Sequence, residues 1–449
     1  MTNWQQDLRK GPVTRTLLRF SLPLIFANLL QTLYNMIDML VAGRYLGPAA
    51  MSAVSVGSQL SFFLMTFSIG LSAGGQILIS QLKGAEDEAG VREAAGTFLT
   101  LTVLTGALTG GLGMLFYRQV LGLLRTPAEA WAGAADYMRM TCAGMVFAFG
   151  EGGIAAIFRG LGDSKRPFRF ALFAFAVNAA LDYILVVQAG LGVTGCALAT
   201  VLAELARFLC GVIALIAGRK RYGLSWRCLA PRRGKLKKLL KIGVPFGVQM
   251  SVVYLANLLI TARVNTYGVA ASAALGAGTK ITQLFTVPMM AIGNGASTMV
   301  GQCMGAGDPE RAGKAVRSAL VCAGIGTAMA LGITQLFPEF LIRLFQDAPD
   351  VVEAGVLYLR IVSFSYLGFA CRSAWGGAAL GVGFSALTML AACAEALLGR
   401  VLLVWLLLGL FGLPGSFAAQ AAAPYIAALI TGVYFYSGKW KCRKLTALE

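Results

Sequence analysis

The chain has 449 residues, of which 57% are hydrophobic and only 13% are charged, and its mean hydropathy is +0.72. A soluble fold would have to hide too much apolar surface from water, so this composition excludes an ordinary soluble enzyme. The net charge of +18 lies in short loops between apolar runs, as expected at membrane surfaces, and does not indicate a nucleic-acid partner.

Twelve apolar runs predict twelve transmembrane helices, because a span needs about 20 predominantly apolar residues. In chain order the predicted helices cover residues 16–42, 50–80, 93–117, 134–158, 168–189, 193–217, 239–265, 272–302, 314–337, 353–380, 384–409 and 414–437. The first run, Leu17–Val41, is longer than the apolar part of a signal peptide and lacks an Ala-x-Ala cleavage site, so we expect it to be retained as a helix. The predicted fold class is an all-α membrane protein.

Basic residues collect on one side of the predicted membrane. They lie in the N-terminal tail, in the loops after the fourth and sixth helices, and in the C-terminal tail. The opposite loops hold only scattered examples such as Arg44, Arg125 and Arg343. Because cytoplasmic loops carry the excess of lysine and arginine, both termini are predicted to be cytoplasmic.

The sequence repeats itself at an offset of about 221 residues. The matching segments are Leu17–Pro23 with Leu239–Pro245, Asn35 with Asn257, Gln81–Ala85 with Gln302–Ala306, Tyr137–Arg139 with Tyr358–Arg360, Gly160–Gly162 with Gly381–Gly383, and Leu191–Gly195 with Phe411–Gly415. Chance matching among helices rich in glycine and alanine does not easily place shared polar residues at a nearly constant offset. The pattern therefore indicates duplication.

Duplication predicts two six-helix lobes. The N-terminal lobe covers residues 1–217, a basic cytoplasmic loop covers 218–238, and the C-terminal lobe with its basic tail covers 239–449. Because each half has an even number of helices, both halves enter the membrane from the same face. We expect a pseudo-two-fold axis along the membrane normal, with a central cavity between the lobes.

Ionisable residues at membrane depth cost about 2.5–3.5 kcal/mol each, so each one needs an explanation. Asp38 lies in the first predicted helix and Asp182 in the fifth, where Asn178 precedes it by four residues and shares its helix face. Thr200 lies in the sixth helix. Two neighbouring carboxylates resist ionising together, so one of them can take up and release a proton. The same oxygens can instead coordinate sodium, and a third interpretation places both acids near helix ends, in water.

The internal repeat shows that the two aspartates occur in only one of the two halves. Asp182 corresponds to Leu403, and Asp38 corresponds to Ile260, so the second lobe has kept neither acid. The six-helix architecture therefore does not require them. Their presence in one lobe favours a cation-coupling site there, formed by Asp38, Asn178, Asp182 and Thr200.

Further polar residues at depth are weaker candidates for ion coupling or substrate contact. They are Tyr34, Asn35, Glu151, Glu204, Glu395, Gln249 and Asn257. For Glu204, the alternative to a functional role is a structural one: either an intrahelical ion pair with Arg207, or an Arg207 side chain that extends toward the cytoplasm. Glu395 has Arg400 five residues later and is considered for cation coupling or for contact with a cationic substrate.

Three prolines fall inside predicted helices. Pro23 lies in the first helix, Pro245 in the seventh and Pro288 in the eighth. Each removes a backbone hydrogen bond and permits bending, which is one way to couple an ion site to a substrate cavity. The alternative is that they are only packing features.

The order of these landmarks resembles the multidrug and toxic compound extrusion (MATE) family, and within it the prokaryotic DinF-type branch. The resemblance runs essentially end to end, although no single motif is decisive. It is carried by Leu17–Pro23, Ala42–Gly47, Phe158–Pro167, the Asn178/Asp182 pair and the turn Gly192–Gly195.

The resemblance implies a monomeric, multi-pass transporter of the bacterial cytoplasmic (inner) membrane that contacts lipids and small-molecule substrates. Such a transporter exports amphipathic, often cationic, compounds by alternating access and needs no cofactor beyond a coupling ion, H+ or Na+. The resemblance also implies that Asp38, Asn178, Asp182 and Thr200 form the coupling site, with sodium the one metal ion considered, at Asp38 and Asp182.

Two departures from the family pattern concern the coupling ion. Sodium-driven members often carry acids in helices seven and ten, where this chain has Gln249, Asn257, Arg263 and Arg372, which argues against a sodium site in the C-terminal lobe. The fourth-helix asparagine of relatives is absent from Gly150–Gly153, where Glu151 is a candidate to replace it.

Three other functions remain as alternatives. A lipid-linked saccharide or lipid flippase of the same superfamily would be favoured by extra helices and a cationic cavity. A membrane-embedded enzyme is disfavoured because the sequence has no histidine, no metal-ligand spacing and no nucleophile motif. A passive channel fits an asymmetric buried acid site less well than coupled exchange does.

Overall fold

The structure is a computed structural model that describes residues 6–41, 45–123, 126–218, 226–345 and 347–445. These residues are almost entirely helical and include no β-strand. The helices of the first half are α1 (Val13–Val41), α2 (Pro48–Gly84), α3 (Glu88–Leu123), α4 (Ala128–Gly160), α5 (Lys165–Asp182) and α6 (Gly192–Ala217). A π-helical stretch, Tyr183–Gln188, continues α5.

The second half begins with a short 3-10 turn, Trp226–Leu229. Its helices are α7 (Arg233–Asn265), α8 (Val269–Gly305), α9 (Pro309–Leu336), the short α10 (Pro338–Arg343), α11 (Pro349–Val362), α12 (Ser365–Gly381), α13 (Ser385–Phe411) and α14 (Leu413–Tyr436). The middle of α13, Glu395–Leu402, is π-helical. A 3-10 turn, Lys439–Cys442, follows α14.

Ten of the helices in the described residues are long and apolar enough to cross a membrane. An eleventh span consists of α11 and α12, which are bent by 44° relative to each other at a short break. The remaining long helix, α8, has 37 residues, and at 1.5 Å per residue it is also long enough to span. The twelve predicted spans therefore correspond to twelve helices or helix pairs, which confirms the all-α membrane fold.

Helix boundaries repeat along the chain. The first residues of α2 and α8 are Pro48 and Val269, and their last residues are Gly84 and Gly305, so both ends are 221 residues apart. The α11–α12 pair spans 349–381 and matches α4, which spans 128–160, at the same offset. Both halves therefore have the same succession of helices.

The described residues form two compact units. Unit 1 contains Phe26–Lys83 and Asp87–Gly247, and unit 2 contains Gln6–Ile25, Gly84–Glu86 and the chain from Val248 onward. The beginning of α1 thus belongs to unit 2, and the beginning of α7 belongs to unit 1. The lobe limits at 217 and 239 stay a prediction.

Small residues allow the beginning of α7 to pack closely in unit 1 and the beginning of α1 to pack closely in unit 2. In unit 1, a Cβ added at Gly74 of α2 would lie 2.9 Å from the backbone nitrogen of Gly243 on α7. In unit 2, a Cβ added at Gly295 of α8 would collide with the hydroxyl of Ser21 on α1. Gly74 and Gly295 are again 221 residues apart, so the two helix pairs are packed in the same way.

The predicted prolines all lie inside helices, Pro23 in α1, Pro245 in α7 and Pro288 in α8. The described part of the chain also has Pro424 inside α14, which the sequence interpretation did not include. Helix α7 begins at Arg233, within the segment predicted as loop 218–238. Its leucines at 236, 239 and 240 continue the apolar face of a helix beyond the membrane span. Residues 219–225 of that loop lie outside the described residues.

Candidate functional site

Helix α5 holds the best-defined part of the predicted coupling site. Asn178 is 1% exposed and Asp182 is 0% exposed, so both side chains are buried on one face, as their spacing of four residues predicts. Within the described part of the chain, neither the amide oxygen nor the amide nitrogen of Asn178 has a hydrogen-bond partner. A buried amide without partners costs free energy, so its presence here requires a functional or structural explanation.

Helix α6 contributes Thr200, whose hydroxyl donates a hydrogen bond to the Cys196 carbonyl at 3.0 Å. Helix α1 contributes Tyr34, which is buried. The backbone of α1 is helical through Asp38, but the side chains of residues 35–40 lie outside the described residues, and these include Asn35 and Asp38. The predicted proximity of Asp38 to Asp182 therefore stays a prediction.

A second group of charges joins α4 to α6 in unit 1. The Nε atom of Arg207 lies 2.8 Å from the Oε1 atom of Glu151, and both side chains are mostly buried. The sequence alternatives for Arg207 were an intrahelical pair with Glu204 or a side chain that extends toward the cytoplasm, and the structure places Arg207 in an ion pair with Glu151 of another helix. The close approach is possible because Gly150 has no side chain and Phe208 of α6 packs against it.

Glu204 is the second acid of this group, and no ion pair within 4.0 Å is found for it among the described residues. One of its carboxylate oxygens is buried and has no hydrogen-bond partner in the described residues. Arg207, three residues later, forms the ion pair with Glu151 and donates a hydrogen bond of 3.4 Å to Gln31. Arg159 of α4 donates to Gln76 at 2.8 Å, so this second arginine is also held by a neighbouring polar side chain.

A small cavity of about 10 Å³ lies beside Glu204. Its walls come from α1, α5 and α6 and are formed by Leu30, Gln31, Tyr34, Ala171, Ala174, Phe175, Ala203, Glu204 and Arg207. This volume holds about one water-sized group. The cavity is therefore suited to a proton-carrying water or a small ion and not to a drug molecule.

Unit 2 contains a different arrangement, which we call the Arg–Glu–Arg cluster and define as Arg372, Glu395 and Arg400. Glu395 is fully buried. Arg400 binds its Oε1 atom through Nη2 at 2.9 Å and Nε at 3.2 Å, and the Nη1 atom of Arg372 lies 3.2 Å from Oε2. Arg400 also donates to the Oδ1 atom of Asn257 at 2.8 Å.

The π-helical geometry of Glu395–Leu402 explains the contact between Glu395 and Arg400. In an α-helix, residues five apart point about 140° away from each other. A π-helix closes its hydrogen bonds between residues five apart and therefore places them on the same face. With two guanidinium groups on one carboxylate, Glu395 is a poor ligand for a cation, and its role in coupling stays a prediction.

The other candidates are dispersed. Gln249 of α7 is buried, and its amide oxygen has no hydrogen-bond partner in the described part of the chain. Among the described residues, no three or more histidine, cysteine or acidic side chains are grouped so that they could hold a metal ion. The sequence did not predict that Gln31, Gln76 and Arg159 lie in this polar group of unit 1, because only the packing of separate helices brings them there.

These features define a class of protein: a multi-pass membrane transporter made of two six-helix repeats. The sequence model of the MatE family matches residues 23–184 and again residues 245–406, once in each half. The chain therefore belongs to the MATE family, whose members are transporters of small molecules and not enzymes. The predicted family is confirmed, and the DinF-type branch stays a prediction.

Relatives and solved structures agree with this assignment. The chain is 31% identical to the probable multidrug resistance protein YpnP of Bacillus subtilis over 363 residues, which cover 80% of each chain. It is 25% identical to a probable multidrug resistance protein NorM of Thermotoga maritima, over 97% of this chain and 95% of the relative. Its fold matches that of a MOP superfamily transporter from Pyrococcus furiosus with a TM-score of 0.93 and 22% identity, covering 99% of this chain and 100% of the other.

Proposed function

We propose that the protein is a secondary active multidrug exporter of the bacterial inner membrane, monomeric and with both termini in the cytoplasm. It couples the efflux of amphipathic, often cationic compounds to the inward movement of a proton or a sodium ion by alternating access. The names of the two relatives above, both probable multidrug resistance proteins, support the substrate class.

The observation that carries the coupling proposal is the buried Asn178/Asp182 pair. An acid at membrane depth is costly, and the Asn178 amide one turn away, which has no hydrogen-bond partner among the described residues, adds to that cost. The matching position of the second repeat is Leu403, so the same fold is formed without the acid. A residue that the fold does not require, at a position where it is costly, supports a functional role.

A coupling ion acts here by changing the charge of unit 1. A proton neutralises the Asp182 carboxylate and allows Asn178 to share a hydrogen bond with it. Sodium instead uses oxygens of both side chains as ligands. Either event stabilises one conformation relative to the other, and this difference in stability is what alternating access requires.

Prolines supply bending points in the two helices that pass from one unit to the other. Helix α1 leaves unit 2 after Ile25, two residues beyond Pro23, and α7 leaves unit 1 after Gly247, two residues beyond Pro245. Proline leaves a backbone carbonyl without its helical partner, so bending costs least at these points. We propose that α1 and α7 bend there during transport.

The test uses purified protein in liposomes, with ethidium efflux driven by an imposed pH gradient or sodium gradient. We expect Asp182→Asn to lower gradient-driven efflux by more than about tenfold, the effect of roughly 1.4 kcal/mol of lost coupling free energy. The matched control is Asp136→Asn, the same change at a half-exposed aspartate of α4 in the same unit. Wild-type efflux from Asp182→Asn would remove the proposed role of this residue.

A further inference from the structure

We propose that the Arg–Glu–Arg cluster of unit 2 binds an anionic group of the substrate, a carboxylate or a phosphate. The transported compounds would then include amphipathic molecules with an acidic group, such as zwitterions, in addition to cations such as ethidium. This inference rests on the proposed export function and makes its substrate class more specific.

The first reason is an imbalance of charge. Arg372 and Arg400 share Glu395, and in the described part of the chain neither arginine has another carboxylate within 4.0 Å. The third polar partner, Asn257, is neutral. The cluster therefore keeps one positive charge within the span region of unit 2, where an unbalanced charge is costly. An anionic group on the substrate would neutralise it.

The second reason is the geometry of Arg372. Its guanidinium lies over the ring of Phe369 at 4.8 Å, which holds the plane of the group in place. Its buried Nε–H group donates to no acceptor among the described residues, and its Nη1 atom contacts Glu395, so protein partners do not use all the donors of this guanidinium. A planar guanidinium held in this way recognises the two oxygens of a carboxylate or phosphate.

The third reason is access. The side chains of Arg372 and Arg400 are 20% and 18% exposed, whereas that of Glu395 is only 1% exposed. An incoming group therefore meets the two arginines and not the acid between them. Glu395 acts as a positioning residue that keeps two like charges side by side.

A matched pair of dyes separates this proposal from a purely structural ion cluster. The pair is a rhodamine zwitterion with a free carboxylate and its methyl ester, which has the same body and a net positive charge. We expect the wild-type protein in liposomes to bind and export the free acid more tightly than the ester. Arg372→Gln should weaken binding of the acid about tenfold, because it removes one charge-assisted hydrogen bond, and should leave the ester unchanged.

Two further variants complete the experiment. Arg372→Lys keeps the charge but loses the planar fork, so binding of the acid should fall to an intermediate level. Arg360→Gln, an exposed arginine of α11, is the matched control and should change neither dye. If Arg372→Gln fails to fold, Arg372→Lys still tests the proposal through the ratio of acid to ester binding.

The outcomes that overturn the proposal differ from those that overturn the export function. A wild-type preference for the ester, or an equal loss of both dyes in Arg372→Gln and Arg372→Lys, shows that the cluster is structural and contradicts the proposal. Failure of the wild-type protein to export either dye under any ion gradient contradicts the export function itself.

Discussion

Replacing Arg207 by methionine tests the ion pair that links α4 to α6. The substitution keeps an unbranched side chain of similar length and removes the only guanidinium bound to Glu151 in the described residues. Glu151 would then be a carboxylate that is 9% exposed and has no ion-pair partner within 4.0 Å among the described residues, with Arg159 as the remaining nearby guanidinium. Breaking a buried pair from one side costs about 3–5 kcal/mol, because the remaining charge is uncompensated. We take the lower value, about 3 kcal/mol, because Arg207 is 17% exposed.

The reverse substitution should cost less. In Glu151→Gln, Arg207 keeps its hydrogen bond to Gln31, and Glu204 lies beside it along the wall of the same cavity. Arg207 can therefore turn to a second acid, which limits the expected loss to about 1–2 kcal/mol. The double variant Glu151→Gln/Arg207→Met leaves no unpaired charge at this pair and should be more stable than Arg207→Met alone.

The assay is denaturant unfolding of the purified variants in detergent micelles, followed by tryptophan fluorescence. We expect stability to decrease in the order wild type, Glu151→Gln, Arg207→Met, with the double variant more stable than Arg207→Met. A loss below about 1 kcal/mol in Arg207→Met would show that solvent screens the pair as it screens surface pairs. A double variant as unstable as Arg207→Met would show that Arg207 acts through packing and not through its charge.

Three further predictions concern packing and the N-terminal segment. Trp440→Ala should cost about 3–5 kcal/mol in denaturant unfolding, because this side chain is 1% exposed and stacks on Phe435; an effect below about 1 kcal/mol would contradict its place in the core. Gly74→Ala should lower the free energy of unfolding by about 1–3 kcal/mol, because the added methyl group would meet the backbone of α7. The control Gly111→Ala, whose methyl group would meet nothing within 4 Å, should be neutral or stabilising in the same assay. Equal effects of the two substitutions would refute the close helix packing. Burial acts to raise the pKa of Asp7, but hydrogen bonds and charge from Arg9 outweigh it and leave this pKa below its ordinary value of 3.8. The stabilisation by Asp7 should therefore be full above about pH 5 and be lost as the pH falls through the lowered value; a thermal-stability difference from Asp7→Asn that does not shrink in acid would contradict this.

The sequence predicts the twelve spans well because long apolar runs separated by polar turns leave few alternatives in a membrane. It does not predict the break in the tenth span, between Val362 and Ser365, since no glycine or proline lies there. It also does not show that the beginning of α1 belongs to unit 2, because a repeat in sequence carries no information about which half each helix segment packs against.

The sequence likewise predicts some contacts of the candidate site and misses others. Spacing alone places Asn178 and Asp182 on one buried face of α5, because the α-helical period applies there. Spacing fails for Glu395 and Arg400, because the π-helical stretch changes the period and brings residues five apart together. Residue spacing also does not predict the pairing of Glu151 with Arg207, because this pairing depends on how two separate helices pack.

The central claim is that drug export is coupled to ion movement through Asp182. The most direct test reverses the coupling: an ethidium gradient is imposed across liposomes, and ion movement is followed with a pH-sensitive or sodium-sensitive dye. Because coupling between two ligands is reciprocal, we predict that the drug gradient drives a proton or sodium flux in the opposite direction in the wild-type protein and none in Asp182→Asn. Ethidium movement that carries neither ion, in sodium-free and in sodium-containing buffer alike, would contradict the account.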